Sequence, residues 1–259
     1  MQAPHRRHRL LRLLTSALLL LGLGGPTAAV GTSPPDSEHF AAARQRLVDA
    51  IERDVASSAD YLGTGRLDAD VIAALRSVPR EAFVPPALRA QAYRDTPLPI
   101  GNGQTISQPY IVAVMSHLAG VNAGDRVYEL GTGSGYQAAV LGAMGVEVYS
   151  VEIVPELAQR AADTLARLGY DNVHVRAGDG YLGWPDAAPF DAIVVTAAHP
   201  EIPQPLIEQL KVNGRLVMPL GEIGGIQQLT VLTKQADGTL DEEALLPVRF
   251  VPITGEHAR

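Results

Sequence analysis

The stretch from Arg126 to Tyr136 reads R-V-Y-E-L-G-T-G-S-G-Y and predicts a strand, a tight glycine turn and the start of a helix. Its first five residues suit a buried strand, and glycine leaves no side chain in the turn. The apolar face of the helix would be formed by Ala138, Ala139, Leu141 and Met144. We expect free backbone N–H groups at this turn, where a nucleotide-like ligand can be held.

The spacing of the glycines indicates which ligand this is. The dinucleotide fingerprint requires glycine at its first, third and sixth positions, but the sixth position here is Tyr136. The stretch instead reads acid-x-G-x-G-x-G, from Glu129 through Gly131 and Gly133 to Gly135. An acid at the strand end can accept a hydrogen bond from a cationic ligand. S-adenosylmethionine carries an ammonium and a sulfonium and no phosphate, so it is the predicted cofactor; a generic tight turn is the alternative.

Strands alternate with helices after this turn, which predicts an α/β, doubly wound, Rossmann-like parallel sheet. The later predicted strands are Glu147–Glu152, Val173–Ala177, Asp191–Thr196 and Gly214–Met218. In such sheets the ligand lies at the carboxyl ends of the strands. Two helices, at 40–55 and 68–78, would form an N-terminal helical extension, with Asp68 as the cap of the second.

The strand–helix alternation does not continue in the last part of the chain. Leu229–Thr233 and Val248–Val251 are strand-like and have no clear helix between them, so we expect an antiparallel pair at one side of the sheet. The acidic run 241–243 between them is interpreted as a solvated turn.

The N-terminal segment differs from the rest of the chain. Four arginines precede an apolar run at 13–23 and small residues at 27–29, which is typical of a secretory signal and too short for a comfortable membrane span. The alternative is an upstream start codon that adds a basic tail. We therefore divide the chain into a leader at 1–29, a linker at 30–38 and one folded domain at 39–259. Within that domain we expect helices and the substrate loop at 39–120, the cofactor core at 121–234 and the substrate side at 235–259.

Composition limits the possible partners. The net charge of −7 and pI of about 5.5 argue against a protein that must neutralise a phosphate backbone, so nucleic acid is not an expected partner. The chain has no cysteine, and its seven histidines lack zinc-ligand spacing, so no metal site is predicted. We expect a monomer without stable membrane association.

Acids recur at successive strand ends. Glu152 ends the second predicted strand and could accept two hydrogen bonds from a ribose diol. Asp179 follows the third strand and could accept from the adenine amine, while the Gly180 N–H meets a ring nitrogen. No general base is evident near these residues, which favours a substrate that is already anionic at neutral pH, such as a carboxylate.

The segment from Leu98 to Pro109 is rich in glycine and proline and is predicted to be a loop that leads into a helix at 110–118. It contains Ser107, for which two interpretations stay open on local sequence. Ser107 could cap the helix, with Pro109 in its first turn, or it could act in a site.

Several segments together resemble the protein-L-isoaspartate O-methyltransferase family. They are P-R-E-A-F-V at 79–84, L-P-I-G-N-G-Q-T-I-S-Q-P-Y at 98–110, E-L-G-T-G-S-G-Y at 129–136, G-D-G at 178–180, P-F-D-A-I-V-V-T-A-A at 189–198 and V-R-F-V-P-I-T-G at 248–255. The loop at 104–110 is the most specific of these segments, because general methyltransferases share the glycine turn but not that loop.

The resemblance implies a sheet of the class I S-adenosylmethionine-dependent methyltransferase type and a role in protein repair. An enzyme of this family transfers a methyl group from S-adenosylmethionine to the α-carboxylate of L-isoaspartyl residues, leaves S-adenosylhomocysteine, and so opens a route through succinimide to normal aspartyl. Damaged proteins and peptides are the implied partners. The implied site residues are Ser107 as the active-site residue, Ile106 and Thr254 on the substrate side, and Thr105, Glu129, Gly131, Gly133, Gly135, Glu152, Asp179 and Gly180 at the cofactor. Since Ser107 has no His and Asp partners in sequence, we expect it to orient the carboxylate.

Two matters stay open at this point. A methyltransferase for a small molecule or another side chain would explain the glycine turn but not the loop, and a non-catalytic exported binding protein would explain the leader. We favour cytoplasmic function, because the methyl donor is made and kept there; a periplasmic or secreted protein delivered by residues 1–29 is the alternative.

Overall fold

The computed structural model describes residues 35–256, with side chains described from residue 38. The helices are α1 (Pro35–Ser57), α2 (Ala59–Leu62), α3 (Ala69–Ser77), α4 (Pro109–Leu118), α5 (Tyr136–Ala143), α6 (Pro155–Arg167) and α7 (Gln204–Gln209). The strands are β1 (Leu98–Gly101), β2 (Gln104–Ile106), β3 (Arg126–Leu130), β4 (Glu147–Glu152), β5 (Val173–Ala177), β6 (Phe190–Val195), β7 (Leu210–Leu220), β8 (Gln227–Lys234) and β9 (Leu240–Val248). The predicted leader lies outside the described residues, and α1 begins at Pro35, within the segment that we predicted as a linker.

Seven strands form one twisted sheet in the order β5-β4-β3-β6-β7-β8-β9. Strands β5, β4, β3, β6 and β7 run parallel, whereas β8 pairs antiparallel with β7 and β9 pairs antiparallel with β8. The predicted doubly wound sheet with an antiparallel end is therefore confirmed. Because β3 lies between β4 and β6, the glycine turn after β3 emerges at the middle of the sheet, at the edge where ligands bind in such folds.

The sheet separates two apolar layers. Helices α1, α3, α4, α5 and α6 cover one face, where Val127 of β3 is buried. Helix α7 and short 3-10 turns cover the other face, where the neighbouring Tyr128 is buried. This change of face between consecutive residues is the period of a β-strand, and it decides which way each side chain at a strand end points. None of the helices between residues 35 and 256 is long and apolar enough to cross a membrane.

The segment at 98–109 is more regular than we predicted. Strands β1 and β2 form an antiparallel hairpin whose turn is Asn102-Gly103, and both of these residues have positive φ, 54° and 72°. Asn-Gly is the pair that a two-residue hairpin turn with two positive φ angles favours. The prediction of a loop was therefore wrong, and the Asn-Gly pair was the signal that it overlooked.

The acidic run at 241–243 and the strand predicted at Val248–Val251 were also assigned wrongly, because β9 ends at Val248. The acidic run lies within strand β9, where its side chains are exposed at the edge of the sheet, and the turn is confined to residues near Asp237 and Gly238. Charged side chains suit an edge strand, because they discourage pairing with another chain. The predicted cap of α3 is only half right: Asp68 occupies the cap position, but its side chain makes no capping bond and contacts His117 Nδ1 at 2.8 Å.

Candidate active site

The glycine turn after β3 has a backbone conformation that requires glycine. Gly131, Gly133 and Gly135 have φ of 95°, 55° and 87°, which L side chains rarely adopt. A Cβ on Gly131 would lie 2.5 Å from Thr196 Oγ1, whose hydroxyl donates to the Gly131 carbonyl at 2.6 Å. A side chain at position 131 is therefore excluded by geometry and by space.

The N–H groups of these glycines are not free, contrary to our expectation. Gly131 N–H donates to Val151 O at 2.8 Å, and Gly135 N–H donates to Thr132 O at 2.8 Å. Gly133 N–H donates to Glu152 Oε2 at 2.7 Å. The turn therefore contributes shape and a fixed backbone path, and its glycine N–H groups stabilise the turn itself.

Glu129 lies behind the turn and not in the cavity. Its side chain is fully buried, and Ser150, its register partner on β4, donates a short hydrogen bond to Glu129 Oε2. Ser150 Oγ also contacts Thr132 Oγ1 at 2.5 Å, and Thr132 lines the cavity. Burial raises the pKa of the Glu129 carboxyl to about 8, the Ser150 hydrogen bond opposes this, and the nearby Glu152 charge adds to it.

Glu152, at the end of β4, does face the cavity. It is 4% exposed, and its carboxylate accepts the N–H of Gly133 at 2.7 Å and the N–H of Val154 at 3.0 Å. Each carboxylate oxygen has two lone pairs, so these bonds leave acceptor capacity for a diol. The backbone bonds fix the orientation of the carboxylate.

Two more predicted residues lie outside the cavity. Asp179 caps a 3-10 turn, with Oδ1 accepting the Tyr181 N–H at 3.0 Å, and it packs against Gly255, where a Cβ would lie 2.7 Å from Oδ2. Gly135 faces helix α6, where a Cβ would meet Ala161 and Leu165 at 3.3 Å. These residues shape the walls of the site from behind.

The main cavity brings together most of the predicted site residues. The predicted residues that line it are Thr105, Ile106, Ser107, Gly131, Gly133, Glu152, Gly180 and Thr254. Ile106 and Thr254, which we expected on the substrate side, therefore share one cavity with the predicted cofactor residues.

A second cavity adjoins the first. Strand β9, the segment after it and the start of α4 contribute to its lining, which includes Pro97, Ile111 and Arg249. Four residues line both cavities, namely Thr105, Ser107, Thr196 and Val251. Ser107 therefore lies where the two cavities meet.

Sequence reasoning missed one residue of the site and the pairing by which the C-terminal segment reaches it. Thr196 follows β6 and lines both cavities, and its position at a strand end was a usable signal. The C-terminal segment crosses the top of the sheet, because Ala198 N–H donates to Val251 O and Ile253 N–H donates to Ala198 O, both at 2.8 Å. This long-range pairing has no local sequence signal beyond the family motif that contains it.

The sheet order, the glycine turn at its centre and the acid at the end of β4 define a class I methyltransferase site that fits S-adenosylmethionine. Residues 62–258 match the family described as protein-L-isoaspartate(D-aspartate) O-methyltransferase. The chain is 61% identical to a protein-L-isoaspartate O-methyltransferase of Gloeobacter violaceus over 72% of this chain and 90% of that protein. It is 50% identical to protein-L-isoaspartate O-methyltransferase 2 of Syntrophobacter fumaroxidans over 94% of this chain and 96% of that protein.

Solved structures agree with this assignment. A protein-L-isoaspartate O-methyltransferase superimposes with a TM-score of 0.71 at 29% identity, over 82% of this chain and 66% of that chain. A putative protein-L-isoaspartate O-methyltransferase of Plasmodium falciparum, in complex with S-adenosyl-L-homocysteine, gives 0.68 at 25% identity, over 82% and 98%. The chain therefore belongs to the protein-L-isoaspartate O-methyltransferase family and is an S-adenosylmethionine-dependent enzyme of protein repair.

Proposed function

We propose that methyl transfer to the α-carboxylate of an L-isoaspartyl residue occurs at the junction of the two cavities, with Ser107 as the residue that orients the carboxylate. The observation that carries this proposal is that Ser107 lines both cavities. The main cavity contains the glycine turn and Glu152, so we assign it to the cofactor. The adjoining cavity is then the place for the damaged polypeptide.

S-adenosylmethionine, when bound, supplies a methyl group on a positively charged sulfur, which a carboxylate oxygen can accept without prior deprotonation. The protein therefore needs alignment more than it needs a general base. The Ser107 hydroxyl makes no hydrogen bond to another side chain or backbone group within residues 38–256, so it can donate to a substrate oxygen. A neutral donor suits this role, because it orients the carboxylate without neutralising its charge.

We assign the cofactor-facing roles by position. Glu152 accepts hydrogen bonds from the ribose hydroxyls, and Thr105, Gly131, Gly133 and Gly180 form the walls that the cofactor contacts. Glu129, Gly135 and Asp179 act through other residues, because they do not line the cavity. In this assignment Glu129 steadies Thr132 through Ser150.

The substrate-side roles proposed for Ile106 and Thr254 need adjustment, since both residues line the cofactor cavity. We place them in the cofactor cavity, whereas the boundary with the polypeptide is formed by the residues that line both cavities, among them Thr105 and Ser107. The neighbouring backbone nitrogen then attacks the neutral methyl ester, a C–N bond replaces the C–OCH₃ bond, and methanol leaves with the amide proton. Water opens the resulting succinimide at either carbonyl, so part of the product is normal aspartyl.

The compartment and the oligomeric state are further proposals. We favour a cytoplasmic monomer, because the methyl donor is made in the cytoplasm; export by residues 1–29 is the alternative. Mass spectrometry of the protein from separated cell fractions checks the first point, since residues 1–29 should still be attached to the cytosolic protein. Light scattering checks the second.

The test of the proposed function uses a labelled methyl donor and two peptides that differ only in an isoaspartyl or a normal aspartyl residue. We expect label in the isoaspartyl peptide alone, in a base-labile ester. Equal labelling of both peptides, or labelling of neither beside an active small-molecule substrate, contradicts the proposal.

A further inference from the structure

A buried arginine joins the two sides of the active site. Arg80 is 0% exposed, and its guanidinium donates from Nε to Ala92 O at 2.9 Å and from Nη2 to Ser107 O at 2.8 Å. Its Cζ lies 4.7 Å from the centre of the Tyr136 ring, in cation–π contact. Tyr136 is the first residue of α5 and lines the main cavity.

Burying a charged side chain costs free energy. We therefore expect Arg80 to make contacts that a different side chain could not make. Burial lowers the pKa of Arg80, and the nearby Asp95 and tyrosine side chains oppose this, but arginine stays charged in proteins. The planar guanidinium can reach two carbonyls in fixed directions while its face lies on an aromatic ring. Lysine offers one compact ammonium group and cannot do all three.

We propose that Arg80 is a positioning residue for methyl transfer, which fixes the backbone of Ser107 relative to the helix that starts at the glycine turn. The inference rests on the proposed role of Ser107. It follows from the geometry, because one guanidinium contacts the loop that carries Ser107 and the aromatic ring that lines the main cavity. Without both carbonyl bonds, the Ser107 hydroxyl loses its fixed place at the junction of the cavities.

The first variant is Arg80→Lys, which keeps the charge over Tyr136 but cannot hold both carbonyls. We expect kcat for an isoaspartyl peptide to fall by about a hundredfold, which is the usual cost of a misplaced reacting group, with little change in cofactor Kd. Val148→Ala, in the buried core at the amino end of β4, is the structural control. It should lower Tm but leave transfer per folded molecule unchanged.

The decisive measurement is a double-mutant cycle with Ser107→Ala. If Arg80 acts through Ser107, adding Arg80→Lys to Ser107→Ala should reduce kcat little further, whereas independent effects would multiply to about ten-thousandfold. Arg80→Gln repeats the cycle without a buried charge in case the lysine variant does not fold. Multiplying effects, or normal transfer by a folded Arg80 variant, would overturn the inference. Normal transfer by Ser107→Ala alone would instead overturn the proposed role of Ser107.

Discussion

The backbone N–H of Tyr110 donates to Asp95 Oδ1 at 2.8 Å, so a residue fifteen positions earlier in the chain caps helix α4. Asp95 Oδ2 also accepts the Gln108 side-chain amide at 2.8 Å, and Gln108, not Ser107, occupies the cap position. The capping interpretation of Ser107 is therefore wrong. The N-terminus of α4 is therefore capped without the Ser107 hydroxyl.

Asp95→Ala should destabilise the protein, and Ser107→Ala should not. Removing a capping side chain costs about 1 kcal/mol, and this cost falls on Asp95 because it holds the Tyr110 N–H. Thermal or denaturant unfolding of both variants measures the difference in free energy of unfolding. Equal losses for the two variants would show that Ser107 contributes to the helix start after all.

Ser107→Ala and Ser107→Gly should each lower methyl transfer to an isoaspartyl peptide by about a hundredfold, because the carboxylate loses its orienting donor. Cofactor binding and Tm should stay close to those of the unchanged protein. Steady-state kinetics beside a calorimetric cofactor titration separate these effects. Near-normal transfer at full cofactor occupancy would leave the orienting residue unassigned.

Glu152→Ala should weaken cofactor binding roughly tenfold or more, because hydrogen bonds to a charged acceptor contribute about 1.5 to 3 kcal/mol each. It should also lower the stability of the cofactor-free protein, since the N–H groups of Gly133 and Val154 lose their acceptor. Calorimetry gives the Kd of the cofactor, and melting curves without cofactor give the change in stability. A lower Tm with unchanged Kd would contradict the ribose assignment and leave Glu152 as a support for the glycine turn.

Glu129→Gln should change how stability depends on pH. The buried carboxyl has a pKa of about 8 against an ordinary value of 4.5, so the folded protein keeps a proton that the unfolded chain has lost. The contribution of this carboxyl to the free energy of unfolding is therefore complete below about pH 4.5 and is lost as pH rises towards 8.

The test of this prediction is the difference in Tm between Glu129→Gln and the unchanged protein, without cofactor, between about pH 5 and pH 8. As pH rises, the Tm of Glu129→Gln should increase relative to the Tm of the unchanged protein. Glu242→Gln, at an exposed position of strand β9, is the matched control and should give a constant difference. A constant difference for Glu129→Gln as well would mean that this carboxyl is ionised throughout.

A chain that starts at Ser33 should fold and bind cofactor like the full chain, because the described fold begins with α1 at Pro35. A chain that starts after Ser57 is the control. It lacks α1, whose Leu47, Val48 and Ile51 are buried, and it should lose stability. Melting curves and cofactor titration compare the three chains. A large loss of stability or of cofactor binding in the chain from Ser33 would mean that the leader is part of the fold.

The sequence alone determined the central sheet and the family. The predicted limits of β3, β4 and β5 agree with the structure, because each of these short segments is rich in β-branched or aromatic residues or is followed directly by a turn or loop. The positions of Glu152, Gly131 and Gly133 also followed from sequence, since the carboxyl ends of parallel strands must meet at one edge of the sheet. The sequence was sufficient to predict a strand wherever the residues of that strand and those directly after it indicated both the strand and its end.

Tertiary structure decided which of these residues face the cavity. Glu129 and Leu130 are neighbours, yet Leu130 lines the cavity while Glu129 is buried on the other face, since side chains alternate along a strand. The roles of Asp95 and Arg80 depend on contacts fifteen and twenty-seven residues along the chain. The C-terminal segment covers the site through pairing with Ala198. Periodicity and composition report on neighbours in sequence, so contacts between distant segments, and the cavity that these contacts enclose, appear only when the chain is folded.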